Sequence, residues 1–256
     1  MKRILFPVVL IVFCFVVSCK KNNDNSTGYT PGNCRMTEES SGIVHATYFY
    51  DQDNRIIKKR YISSPHDTSW ENYTYENGHV IYMIRLFKGT KGDTIVYIYK
   101  DDKYVEVDQY GSVLKYLYNT SGQLVRIESY TNSKMTDYSE FDYDQNSNCI
   151  RCTEYYKSDS AFYQSTITEL EYGDRKNIYY SLGCPPSNSE HGTTAQFLSP
   201  NNIVKYRNRF LSNHMTITWI YNYTSFNEHG YPLTFTMNDT ITNSILNMET
   251  ISYVCP

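Results

Sequence analysis

The sequence predicts an all-β fold: an antiparallel meander of tyrosine-marked β-hairpin repeats, strongly curved or barrel-like, and water-soluble. Three observations predict it. One phrase returns along the chain: tyrosine, any residue, tyrosine, a polar turn, then an aliphatic residue and a charged strand. Its instances begin at Tyr48, Tyr73, Tyr97, Tyr116, Phe141, Leu170 and Tyr221. The second tyrosines fall at 50, 75, 99, 118, 143, 172 and 223, mostly about 25 residues apart, with a last step about twice as long. A period of this size marks a repeat architecture. The segments between turns alternate side to side, and helical periodicity is missing after residue 19.

Each repeat reads as a hairpin. Tyrosine, valine, isoleucine and threonine suit a pleated, half-buried surface, and the Asp, Asn and Gly clusters between them are turn chemistry. Over residues 80–87, Val80, Tyr82, Ile84 and Leu86 share one face, with Ile81, Met83, Arg85 and Phe87 on the other. Over residues 124–130, Val125, Ile127 and Ser129 oppose Arg126 and Glu128. Roughly a dozen such strands follow. A sheet of that size curls or closes, and closure removes exposed edges. Lys58, Lys59, Arg60, Arg85, Arg126 and Glu128 interrupt the apolar outer band that a membrane-spanning barrel requires.

At the start of the chain, Lys2 and Arg3 precede an apolar run over residues 4–17 that Pro7 interrupts. The run is too short to span a bilayer, so residues 1–18 read as an export signal. Val16-Val17-Ser18-Cys19 resembles the lipobox of bacterial lipoproteins. That resemblance implies lipidation of Cys19, cleavage before it, and attachment to a membrane through an N-terminal lipid. Lys20 follows where aspartate often signals inner-membrane retention, so the family rule favours the bacterial outer membrane, on its periplasmic or extracellular face. Residues 19–33 have one aromatic and no aliphatic side chain and read as a lipidated flexible tether. Residues 34–256 form a single β-repeat domain.

The repeat phrase resembles the YD repeat of Rhs-type secreted proteins at residues 50–55 and 143–148. It also resembles a family of Bacteroides-type lipoproteins without assigned activity, described as having a porin-like fold. That likeness covers most of residues 45–255, including the segments 198–206 and 226–235 and the closing strand 251–255. It implies fold and location and adds nothing on chemistry. The turns at 51–55, 144–148 and 173–177, the first two without glycine, depart from the repeat. Residues 181–202, with three prolines and little strand pattern, form a long loop where another repeat is due.

Chemistry is sparse. Without Lys2 and Arg3 there are 22 basic and 27 acidic side chains and no basic patch, which argues against a nucleic-acid partner. The six histidines are scattered, and no nucleophile elbow, zinc-protease motif or phosphate-binding loop is present. Neither a cofactor site nor a metal site emerges. The acid pair Asp101-Asp102 falls in a turn. Of the cysteines beyond the tether, at 34, 149, 152, 184 and 255, the odd number leaves at least one unpaired in a monomer, and the pairing is open. Cys149 and Cys152 have redox-motif spacing. On a strand, however, residues three apart face opposite ways, so structural cysteines are the better reading. Thr94, Ser160 and Thr240 follow aspartate and precede a small or aliphatic residue, a short O-glycosylation signal of Bacteroides-type exported proteins.

These features favour a non-catalytic binding module for a glycan or a protein, with exposed tyrosines of neighbouring repeats as its platform. One alternative is an accessory lipoprotein of an envelope complex, docking through a sheet edge or the 181–202 loop. A glycan-active hydrolase, which needs no local motif to draw carboxylates from distant strands, is a second alternative.

Overall fold

The computed structural model describes residues 34–42, 44–64, 67–109, 111–177, 179–182, 197–242 and 244–255. The signal segment and tether lie outside these residues. Sixteen strands succeed one another: β1 (Arg35–Ser41), β2 (Val44–Tyr50), β3 (Ile56–Ser64), β4 (Asp67–Glu76), β5 (His79–Phe87), β6 (Thr90–Lys100), β7 (Lys103–Gln109), β8 (Ser112–Tyr118), β9 (Leu124–Thr131), β10 (Lys134–Tyr143), β11 (Cys149–Ser158), β12 (Ala161–Lys176), β13 (Asn201–Phe210), β14 (Met215–Phe226), β15 (Pro232–Asp239) and β16 (Ile245–Val254). Every consecutive pair is antiparallel, and β1 pairs with β16, so the meander closes into a barrel. The strand number corrects the dozen expected. Each repeat supplies two strands, and Tyr253 on β16 is an eighth marker tyrosine that completes the ring.

A β-bulge recurs at one place in the repeat. On each strand that leaves the polar-turn end of the barrel, an inward-packing residue near the start is followed by the extra one. The extra residues are Thr37, Ile57, Ile81, Val105, Val125, Ile150, Val204 and Leu233. A bulge sets two residues against one and flips the faces of every residue beyond it on the strand. This corrects two simple alternations. Val80, not Ile81, joins Met83 on the inner face, and Leu124, not Val125, joins Ile127 and Ser129.

The marker tyrosines explain why the bulges are tolerated. The second tyrosine of a repeat donates its hydroxyl to the backbone carbonyl just before a bulge. Tyr50 donates to Met36, Tyr75 to Ile56, Tyr118 to Tyr104, Tyr143 to Leu124, Tyr172 to Cys149, Tyr223 to Ile203 and Tyr253 to Pro232, all at 2.6–2.9 Å. Those carbonyls stand where the ladder is interrupted, and a buried carbonyl needs a donor. Tyr99 departs from the pattern: it stacks on His79 with ring centroids 3.5 Å apart.

Four of the polar turns share one geometry despite their different sequences. Asp51, Asn119, Asp144 and Asn227 each accept the backbone N–H four residues on. The third residue on has positive φ: Asn54, Gly122, Ser147 and Gly230. Asparagine and serine occupy that position where glycine is absent, so the turns at 51–55 and 144–148 keep the repeat's shape. Asp101 and Asp102 form a two-residue hairpin turn, both with positive φ.

The Cys34–Cys255 disulfide clamps the β1–β16 seam at the end of the barrel that carries the polar turns, the disulfide end. Inside the barrel two apolar clusters fill this end. One is centred on Val80, Met83, Ile127, Phe141, Cys149 and Cys152, the other on Met36, Tyr48, Phe235 and Ile251. Outside, charges pair at mid-strand: Arg126 with Glu128 and Glu140, Arg209 with Glu169, and Lys205 with Glu171.

Candidate functional site

The β12–β13 connection is the one break in the hairpin rhythm among the described residues, and it returns to the disulfide end. Asn177 staples both of its limbs. Its backbone N–H donates to the Pro200 carbonyl at 2.9 Å, and its buried side chain donates to the Ser199 carbonyl at 2.8 Å. Its Oδ1 accepts the Tyr179 N–H at 3.0 Å, which starts a single 3-10 turn over Tyr179–Leu182. Buried Ser199 accepts the Cys149 N–H at 2.9 Å, so the returning limb is fixed to the wall.

Tyr179 and Tyr180 diverge from that turn. Tyr180 is half exposed and lines a half-open cleft of about 270 Å³. The other aromatic walls are Tyr104, Tyr116, Tyr118, Tyr143 and Phe197, and Ser121, Gln123 and Ser147 of the polar turns supply hydroxyl and amide groups. Tyr104, Tyr118 and Tyr143 are locked by the hydroxyl-to-carbonyl pattern and by edge-on packing, with the Tyr99 and Tyr104 ring centroids 4.9 Å apart. The cleft is therefore preorganised, with apolar ring faces inside and polar groups at its rim.

Tyr179 points the other way, into the barrel. Its hydroxyl donates to Glu39 in a very short contact and lies 3.4 Å from Glu249 Oε2. Glu39 also accepts the Tyr48 hydroxyl at 2.8 Å. Burial and the neighbouring Glu39 push the Glu249 carboxyl up to about 7, partly offset by the Tyr179 hydrogen bond. A second carboxylate network adjoins it. Glu71 accepts from Tyr61 and Tyr73 and pairs with Arg85 at 2.8 Å, while Lys59 lies against the Tyr48 and Tyr61 rings. No motif announced either network, because the residues come from separate repeats and only closure of the barrel assembles them.

The residues singled out from the sequence fall in different places. Cys19 and Cys184 lie outside the described residues. Ser160 and Thr240 are exposed in turns at the end opposite the disulfide, and Thr94 is half-buried on β6. The marker tyrosines face inward, so they do not form the platform of exposed tyrosines expected from the sequence: the repeat spends them on its own wall. Closure likewise pairs both edges of every described strand, so the barrel wall itself offers no free edge for docking. Cys149 and Cys152 are both fully buried on the inner face. The bulge at Ile150 brings two residues three apart to the same side, against expectation. Burial pushes the Cys149 thiol up to about 12 and that of Cys152 well above its ordinary value, so neither is a thiolate at neutral pH. Cys34, Cys255 and His229 lie together, but the disulfide consumes both sulfur ligands.

No protein-family model matches the chain, and no curated protein matches it in sequence. Solved structures do. A porin-like protein from Bacteroides uniformis superposes with a TM-score of 0.53 at 14% identity, covering 88% of this chain and 99% of that one. A porin-like protein from Bacteroides vulgatus gives 0.50 at 11%, covering 86% and 99%. The chain shares the fold of these porin-like proteins. At such identities the likeness concerns the barrel and leaves the cleft and the carboxylates to be argued from this chain's own residues.

Proposed function

We propose that the protein is an envelope-anchored lipoprotein and a non-catalytic binding module, whose cleft at the disulfide end takes a glycan. The observation that carries this reading is the cleft itself: fixed tyrosine rings beside serine, glutamine and tyrosine polar groups suit a sugar, which offers apolar ring faces and a hydroxyl edge together. Anchoring rests on the lipobox at residues 16–19, and envelope location gains support from the porin-like neighbours. The mid-strand charge pairs on the outer wall support a barrel that stands in water on its tether. Fully stretched, residues 20–33 reach about 45 Å, so the barrel has freedom to turn its cleft toward a polymer at the membrane surface.

Glycan-array binding by the purified protein, lost in Tyr180→Ala and kept in Tyr163→Ala, tests the cleft. Binding that survives Tyr180→Ala, or that is absent across a broad array, would sink it. Metabolic labelling with a palmitate analogue tests the anchor: label on the wild type and none on Cys19→Ala is expected.

A specific observation also bears on the hydrolase alternative. Glu39 and Glu249 are a carboxyl pair of the sort that acid–base catalysis uses, with one member holding its proton to neutral pH. Tyr179 stands between them, however, where a scissile bond would have to lie. The binding reading is therefore preferred.

A further inference from the structure

One hydroxyl meets two carboxyl groups inside the barrel. Tyr179 has a single hydroxyl proton for two carboxyl acceptors, Glu39 in the very short contact and Glu249 in the longer one. Both oxygens of Glu39 are thereby accepting, one from Tyr179 and one from Tyr48. While that proton lies toward Glu39, Glu249 Oε2 faces, at 3.4 Å, an oxygen with none to give. Two acceptors without a proton between them repel. The contact is favourable only if Glu249 carries a proton of its own and donates it to the Tyr179 oxygen. The other titratable groups facing Glu249 do not supply one. Tyr221 and Tyr223 on β14 and Tyr253 on β16 are buried phenols, and the Tyr223 and Tyr253 hydroxyls donate to Ile203 and Pro232. Asn247 donates its amide to Oε1, leaving Oε2 to face Tyr179.

We infer that a proton shared along Glu249, Tyr179 and Glu39 latches the Tyr179–Leu182 turn onto the barrel interior, and that losing this proton releases the turn and with it the Tyr180 wall of the cleft. Tyr179 and Tyr180 are adjacent on one short turn, so the seat of the first sets the position of the second. The latching step stands on the lumenal geometry alone; its effect on the cleft rests on the glycan-binding reading. A binding module controlled this way engages its ligand in a mildly acidic surrounding and lets go above neutrality.

The test is hydrogen exchange of the full-length protein at pH 5.5 and 8.5, corrected for the intrinsic pH dependence of amide exchange. Backbone amides of residues 179–182 and 197–199 are expected to lose roughly tenfold or more of their protection at the higher pH. Glu249→Gln, whose amide donates at any pH, is expected to stay protected at both; Tyr179→Phe is expected to be unprotected at both. Equal protection of the wild type at the two pH values would overturn the latch, as would an unaltered pH response in Glu249→Gln. Should that variant fail to fold, a carboxyl-carbon NMR titration of wild-type Glu249 decides. Its midpoint must coincide with the loss of protection, and a midpoint at pH 4–5 overturns the idea. No ligand enters these measurements, so they fail independently of the glycan array. Glycan hits from the array that bind equally at pH 5.5 and 8.5 while protection changes would overturn the link to the cleft.

Discussion

The Ser199 hydroxyl donates to the Tyr172 hydroxyl at 2.7 Å, and this one contact closes a ring of three hydrogen bonds. Tyr172 donates in turn to the Cys149 carbonyl at 2.6 Å, and the Cys149 N–H returns to Ser199 at 2.9 Å. A repeat tyrosine, a bulge and the anomalous connection are thus tied at a single point. Ser199 is fully buried, so its removal leaves a backbone N–H without a partner in a dry place. Ser199→Ala is expected to cost about 1–3 kcal/mol, more than an average hydrogen bond. Urea unfolding of the variant checks the figure, and a loss within error of zero would mean that the ring is not formed.

Repeat tyrosines are expected to matter through their hydroxyls as well as their rings. Tyr143→Phe keeps the ring but removes the donor to Leu124, at an expected cost of about 0.5–1.5 kcal/mol. Tyr163 is 60% exposed, and Tyr163→Phe is expected to change stability negligibly. Equal effects from the two substitutions would contradict a structural role for the tyrosine-to-carbonyl pattern.

Much of this wall was legible in the sequence. The spacing of tyrosines 50 to 223 gave the hairpins, and the long step between 172 and 223 located the connection that builds the cleft. The bulges were not legible. An Ile-Ile, Leu-Val or Cys-Ile pair after a turn looks like ordinary strand, and only the cross-strand register shows that its second member is extra. Misreading Ile81, Val125 and Ile150 reversed the inner and outer faces around them, and hid the fact that Cys149 and Cys152 share the core. The carboxylates were illegible for another reason. Glu39 and Glu249 lie on the first and last strands, and their meeting depends on the β1–β16 seam, which no local pattern specifies.

That seam carries the third prediction. The Cys34–Cys255 bond joins residues 221 apart in sequence and covalently closes the barrel where β1 meets β16. A cross-link over so long a loop restricts the unfolded chain strongly, and Cys34→Ser is expected to lower stability by about 2–5 kcal/mol. Reductant is expected to lower the Tm of the wild type toward that of Cys34→Ser and to leave the variant unchanged. If reductant also shifts the variant by the same amount, another disulfide is responsible.

Glu249 gives the fold a pH dependence of definite sign. In the folded chain it keeps its proton to about pH 7, against an ordinary value of 4.5. Burial and the Glu39 charge are the causes. Between these two values the folded state binds a proton that the unfolded state has released. Stability from this group is therefore complete below about pH 4.5 and is lost as pH rises through 7. The difference corresponds to about 3 kcal/mol at most. Other carboxyl groups titrate over part of this range, so the contribution is read as a difference between two proteins. Wild type and Glu249→Gln are expected to be similar in stability near pH 4.5, and the wild type is expected to fall behind as pH rises through about 7 and then to hold that deficit to pH 8.5. A gap that stays constant with pH, or that opens toward acid instead, would show that Glu249 is not the group that carries the proton.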